Sequence, residues 1–324
     1  MMLRGWPFHF ILFALCLFPG QALAIIGGEG IDPNRADSPW AGVGSITIKD
    51  GGTYSGALIS RRHVLTAAHV VMGKQATPAD ITFNLNYGSD LTYRFPAAAI
   101  YLFPDYRGTR PTRDGLWHDD IAVIELSVAV PAGVPVYPLY RGIPGINESS
   151  RDIVFVGYGA GDDATRSQRL PPNPSVKRIG RNQVDLLVRN PQKDVGFDLF
   201  VYHFADAKGE ARQSSHAAFV TAPEALFAGG DSGSPIFVQE GGVWKIAGVA
   251  TFASSQGEGH ANLDSFAAIG GGTLIAPYLD WIKDRTTQTA QPPAPASGST
   301  WIWLAVAAAG TWPAYRLLRR RRAR

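Results

Sequence analysis

Between residues 44 and 250 the chain falls into short runs rich in β-branched and aromatic side chains, cut apart by Gly, Pro and Asp. This pattern constrains the fold more than any other feature. Residues 44–48, 80–84, 153–156, 184–188 and 243–250 are each of strand length, and many short strands with turn residues between them predict an all-β protein of sandwiches or barrels. Only 67–72 and 276–285 read as helical, the second through an apolar face of Tyr278, Leu279, Trp281 and Ile282. With 36 Gly and 23 Pro among 324 residues, 45% hydrophobic and 18% charged, disordered and coiled-coil chains are excluded. The Pro-rich stretch 131–144 divides the body in two and reads as a link between subdomains. Residues 161–183, polar and carrying Pro171-Pro172, read as a solvated surface loop.

Both ends read as membrane-directed segments. Residues 1–24 hold Arg4, an apolar run over 8–18, Pro19-Gly20 and the small-residue site Ala22-Leu23-Ala24, the pattern of a cleavable export signal that would leave Ile25 first. The single cysteine, Cys16, would leave with it, so the mature chain is expected to hold together without disulfides. At about 260 residues the body is long enough to do so. At the other end a Thr/Gln/Pro/Ala/Ser linker, 286–300, leads to an apolar stretch, 301–315, and an Arg cluster within 301–324. A helix over 301–315 would be about 22 Å long against a hydrocarbon core of about 30 Å, and Pro313 interrupts it. The tail is therefore expected to meet the membrane as a weak anchor or as a sorting signal removed after export, as in the tripartite C-terminal signals of bacterial surface proteins.

The ends also distort the charge. The chain carries a formal +3, but the seven Arg of its first and last 24 residues set aside, 23 basic face 27 acidic side chains, a net −4. The pI of about 9.0 belongs to the tail, and a body of negative charge excludes nucleic acid as a partner.

Three motifs carry chemistry. In Leu65-Thr66-Ala67-Ala68-His69, placed at the end of an apolar strand that includes Ala57-Leu58-Ile59, small residues let an imidazole turn into a cleft, where it is a suitable base near pH 7. In Asp120-Ile121-Ala122-Val123 a carboxylate leads into an apolar strand; buried there it needs a donor, and a histidine Nδ1–H is one, with Asp119 as the competing candidate. In Gly229-Gly230-Asp231-Ser232-Gly233-Ser234-Pro235 the glycines let the Gly230 and Ser232 N–H groups converge where an oxyanion could be held. His63, His118, His203, His216 and His260 show no paired metal-ligand spacing and read as surface or structural, so no metal is expected.

These pieces, together with Ile25-Ile26-Gly27-Gly28, Ser55-Gly56-Ala57 and Trp281-Ile282-Lys283 in a final helix, fall in order over 25–285, and the body resembles a chymotrypsin-like (trypsin-family) serine endopeptidase. The resemblance implies two Greek-key β-barrels, 25–135 and 136–285, the second ending in a helix, with the catalytic groups in the cleft between them. His69 would be the base, Asp120 its orienting carboxylate and Ser232 the nucleophile that forms an acyl-enzyme on protein or peptide substrates. The mechanism that the resemblance implies requires no organic cofactor. The N–H groups of Gly230 and Ser232 would form the oxyanion hole, and Asp231 would pair with the α-ammonium of Ile25. Because Ala24 abuts Ile25, export cleavage itself would free that terminus.

The departures are informative. Val70 stands where a cysteine usually follows the histidine and Tyr54 where its partner would be, so both halves of that bridge are missing together. Six residues before Ser232, where trypsins carry Asp at the pocket base, stands Leu226. With Thr251, Phe252 and Ala253 as pocket wall and peptide-pairing edge, a preference for apolar or small uncharged side chains is expected, since an apolar floor cannot pair a cation. Two other readings stay open: a non-catalytic surface binding module on a protease scaffold, and an esterase-like hydrolase using the same triad.

Overall fold

The structure, a computed structural model, describes residues 25, 28, 30–72, 76–87, 92–108, 110, 112, 114–146, 150–163, 168–194, 196–204, 224–255 and 268–287. The expected export signal, linker and tail, and His216 and His260, lie outside the described residues. The chain divides into two compact units, Met1–Ala290 and Gln291–Arg324, and the described residues all belong to the first. Among them no helix is long and apolar enough to cross a membrane.

A short strand β1 (Gly30–Ile31) precedes β2 (Val43–Ile48), β3 (Thr53–Ser60), β4 (His63–Thr66), β5 (Ile81–Asn86), β6 (Thr92–Leu102) and β7 (Ala122–Leu126). Antiparallel pairing closes the last six into a barrel ordered β2-β3-β4-β7-β6-β5. Register shifts at Leu58/Ser60 and Ala97/Ala99 bend the strands as closure requires. Helix α1 (Ala68–Met72) follows β4 directly. Nine strands follow in the second half: β8 (Asp152–Gly157), β9 (Gly161–Asp163), β10 (Gln168–Leu170), β11 (Arg178–Gln183), β12 (Leu186–Arg189), β13 (Phe197–His203), β14 (Pro235–Glu240), β15 (Val243–Ser255) and β16 (Ala268–Leu274). β9 and β10 pair as a two-stranded ribbon, and the others join β1 in a sheet ordered β1-β11-β8-β14-β15-β16-β13-β12. The all-β expectation with one short C-terminal helix, α2 (Leu279–Thr287), is met.

The barrel strands read as continuous apolar runs because both of their faces are buried. Val64 and Ile124 point into the barrel with Ile46, Leu58 and Phe83. Their neighbours Leu65 and Val123 point outward, onto a second cluster shared with Val154, Val156, Phe237 and Ile246 of the sheet. That second cluster joins the two halves. Helix α2 strengthens the junction: Phe103, just after β6, meets the Tyr278 ring at 4.8 Å and the Trp281 ring at 5.4 Å, both edge to face.

Two expectations need correction. Leu65 does not continue the strand of Ala57–Ile59; β3 and β4 are antiparallel neighbours with Ala57 opposite Leu65. Nor is 161–183 a solvated loop. It holds β9, β10 and β11, and Lys177 and Arg178 are buried. Polarity misleads there because the inward-facing side chains of β11 are polar and find partners, as when Asn182 Nδ2 donates to the carbonyls of His203 (3.0 Å) and Ala225 (3.1 Å).

Candidate active site

β4 ends in the fully buried Thr66 and runs through Ala67 into α1. Ala67, Ala68, Val70 and Val71 pack on the barrel core, which leaves the His69 ring, 26% exposed, as the side chain facing the cleft. Its Nδ1 lies 2.7 Å from Asp120 Oδ2, and its backbone N–H donates to Asp120 Oδ1 at 2.8 Å. A carboxylate only accepts, so Nδ1 carries the proton and Nε2 is left as the basic nitrogen. Burial pulls the imidazole toward the neutral form, but the charge and hydrogen bond of Asp120 outweigh it and raise its pKa.

Asp119 and Asp120 are separated by backbone geometry. Asp119 has φ +62°, a left-handed conformation that aspartate tolerates, and its carboxylate goes to Lys193 Nζ (2.7 Å) and the Tyr278 hydroxyl (3.0 Å). Asp120 turns to His69, and the carbonyl of Asp120 accepts from Thr273 Oγ1 of β16 at 3.2 Å. The competition between the two aspartates is thereby decided in favour of Asp120 as the partner of His69.

Ser232 sits in a tight turn whose flanking residues Gly230 (φ +95°) and Gly233 (φ +81°) occupy backbone conformations that side chains resist. The turn is held from the barrel side: Ser55 N–H donates to the Ser232 carbonyl (3.0 Å) and Ser55 Oγ to the Gly230 carbonyl (3.1 Å). Gly233 N–H donates to Ala250 of β15 at 2.8 Å. Among the described residues no backbone acceptor takes up the N–H of Gly230 or Ser232.

Asp231 is fully buried, and its carboxylate accepts from Gly159 N–H and Ala228 N–H, both at 2.9 Å. Burial pushes its pKa up to about 7, against those two donors and the positive charge of Arg178. Ile25 is also fully buried, in an apolar cluster with Phe155, Leu226 and Phe227.

A cavity of about 500 Å³ collects His69, Asp120 and Ser232 with Leu226, Thr251, Phe252 and Ala253. Tyr106, Trp117 and Phe227 complete its apolar wall, and sequence reasoning missed all three. Phe227 was within reach, as the neighbour of Leu226. Tyr106 and Trp117 belong to the connection between β6 and β7, ahead of the Asp120 motif at its end, in a stretch that carries no motif of its own. Three of the other histidines are structural. His63 Nδ1 meets Ser60 Oγ at 2.7 Å and His203 Nδ1 meets Asp185 at 2.7 Å. His118 bridges Asp198 (2.7 Å) and Asp114 (2.9 Å) with its two ring nitrogens. Among the described residues no cluster of His, Cys, Asp and Glu is arranged to hold a metal ion.

Residues 25–176 match the family model described as Trypsin. The chain is 26% identical over 278 residues to complement C1r-B subcomponent of Mus musculus, covering 81% of this chain and 34% of that protein. It is 25% identical over 281 residues to testisin of Homo sapiens, covering 82% and 79%, and 26% identical over 278 residues to chymotrypsin-C of Rattus norvegicus, covering 82% and 90%. The chain thus spans about a third of the complement protein and most of the other two. It is similar at low identity to trypsin-family proteins, over the part that the family model matches and over most of testisin and chymotrypsin-C.

Proposed function

We propose that the chain is a serine endopeptidase in which Ser232 is the nucleophile, His69 the general base and acid, and Asp120 the group that orients and charges the imidazole. The observation that carries this reading is the two-point grip of Asp120 on His69, through ring and backbone, at the mouth of the apolar cavity that Ser232 also lines. His69 Nε2 takes the proton of Ser232 Oγ as it attacks a peptide carbonyl, and returns it to the leaving amine. The open N–H groups of Gly230 and Ser232 receive the oxyanion, and water then hydrolyses the acyl-enzyme. Leu226 and Phe227 line a cavity whose one carboxylate among the described residues, Asp120, is already held by His69, which favours apolar or small uncharged side chains over Lys and Arg.

Export belongs to the same reading. Cleavage after Ala24 frees an α-ammonium at Ile25, beside the cluster of Leu226 and Phe227 that leads to Asp231, where it pairs with that carboxylate. The tail, 286–324, anchors or sorts the exported protein at a membrane.

Cleavage of a diverse peptide library, with Ser232→Ala as matched control, tests the proposal. Serine-dependent cleavage after apolar residues is expected. Cleavage after Lys or Arg would discard the pocket assignment, and turnover of esters but not of matched peptides would replace the endopeptidase by an esterase. N-terminal sequencing of the exported protein is expected to begin at Ile25.

A further inference from the structure

Arg178 is among the largest fully buried side chains, and the site has so far given it no part. It stands at the start of β11, opposite Gly157 of β8 and Ile31 of β1. Its Nη1 donates to the Gly159 carbonyl at 2.6 Å and to the Val176 carbonyl at 3.3 Å, while its buried Nε has no hydrogen-bond partner. A guanidinium taken out of water needs a compensating negative charge. Lys177 beside it is committed elsewhere, to the Trp40 carbonyl at 2.9 Å and Asp32 at 3.6 Å.

The route from Arg178 to the turn of Ser232 is short. Arg178 grips the carbonyl of Gly159; the N–H of Gly159 donates to Asp231; Ala160 N–H, next along, donates to the Gly229 carbonyl at 2.7 Å. Asp231 then closes the turn through its own backbone, its N–H donating to Ala228 (2.9 Å) and its carbonyl accepting from Ser234 (2.8 Å). A Cβ at Gly159 would run into the Asp231 carboxylate, so the segment and the carboxylate are fitted to one another. The chain continues through Ala24, so the nitrogen of Ile25 is here an amide, and Asp231 is nevertheless turned inward.

We propose that Arg178 is a positioning residue: its buried guanidinium is the resident counter-charge of Asp231 and, through Gly159, holds the turn that aims the Gly230 and Ser232 N–H groups, before any α-ammonium is freed at Ile25. This deepens the peptidase reading and rests on it for its catalytic consequence, but not for the charge interaction itself, which links two side chains that are joined through Gly159 and make no direct hydrogen bond. Burial lowers the pKa of Arg178 while Asp231 raises it, and a guanidinium in such a site stays charged. Among the described residues Tyr202, whose hydroxyl accepts from Phe227 N–H at 3.2 Å, is a further titratable side chain near this carboxylate, and the Asp231 charge raises its pKa further beyond what burial does.

The test separates charge from hydrogen bonding, because Arg178→Gln keeps a donor for Gly159 without charge and Arg178→Lys keeps the charge. In the full chain carrying Ser232→Ala, the Asp231 carboxyl is titrated by carbon NMR. The Gln variant is expected to raise its proton affinity about tenfold or more, and the Lys variant to leave it within about threefold. An unmoved titration in the Gln variant overturns the proposal whether or not the chain is a peptidase. If the Gln variant does not fold, the Lys variant decides: an Asp231 that titrates tenfold higher there overturns the proposal, and one that does not supports it. In the unprocessed chain with Ser232 intact, the Gln variant is expected to lose about 100-fold in kcat with little change in KM, and the Lys variant to recover most of it. Equal losses in the two variants would overturn the proposed role of charge. A shifted titration in a chain that cleaves nothing would instead uphold the charge interaction and sink the peptidase reading.

Discussion

The barrel that carries His69 is filled by Ile46, Leu58, Val64, Phe83 and Ile124, whereas the sheet that carries Ser232 hides Lys177, Arg178, Asp198 and Asp231 among its apolar residues. The first half presses α1 onto the barrel by small and branched side chains, which leaves His69 outside, where Asp120 holds its ring and backbone. Dispersion and area burial do not titrate, so the seating of α1 is indifferent to pH, whereas the contact of His69 with Asp120 is not. The second half holds its turn by buried charge and by hydrogen bonds to a carboxylate, which depend on protonation. The cavity that both halves line thus joins a helix seated by packing to a turn held by titratable groups.

The comparison can be broken or sharpened at several points, the largest first. Ser232→Ala is expected to lower kcat about a million-fold while leaving the thermal midpoint close to that of the parent, as activity and melting measurements on one preparation would show. Gly159→Ala is expected to cost about 100-fold or more in kcat, because its Cβ meets the Asp231 carboxylate, whereas Gly196→Ala, with open space around it, is expected to change nothing. An active Gly159→Ala enzyme would show that the loop is not held by its carboxylate. Phe83→Ala in the barrel is expected to remove about 3–5 kcal/mol of stability by denaturant titration, with the pH profile of activity unmoved.

The smallest effect concerns His118, which joins the segment before Asp120 to Asp198 of β13. Burial lowers its pKa, but hydrogen bonds from its two nitrogens to Asp198 and Asp114 outweigh this and raise it above 6.5. A folded pKa above the unfolded one means the stabilisation is complete below pH 6.5 and is lost as pH rises through the folded value. Stability of the parent is therefore expected to fall on alkalinisation from pH 6.5, and His118→Gln to lack that slope. Asp231 acts in a different window. With its pKa raised to about 7, stability falls between the ordinary carboxylate range and neutrality and is level above it. Denaturant titrations across pH 4–9 distinguish the two.

The motifs around His69, Asp120 and Ser232 were legible because each is local: a few adjacent residues, small ones beside a reactive one, set the backbone that presents it. The strand content was legible for the same reason, although β3 and β4 merged in the reading, since an apolar run does not say where a hairpin turns. What failed was β11. Its polar side chains look solvated until Asn182 is seen to reach His203 and Ala225, residues more than twenty positions away.

The sequence by itself determined that the chain is all-β and that Ser232 lies in a glycine-rich turn, because backbone preference is a property of neighbouring residues. Only the tertiary structure decided between Asp119 and Asp120, put Tyr106, Trp117 and Phe227 in the cavity wall, and set Ser55, Gly159 and Arg178 around the Ser232 turn. Those assignments depend on pairings between groups up to 175 residues apart in the chain, and the cost of leaving a buried donor, acceptor or charge without a partner is felt only once the halves are packed together.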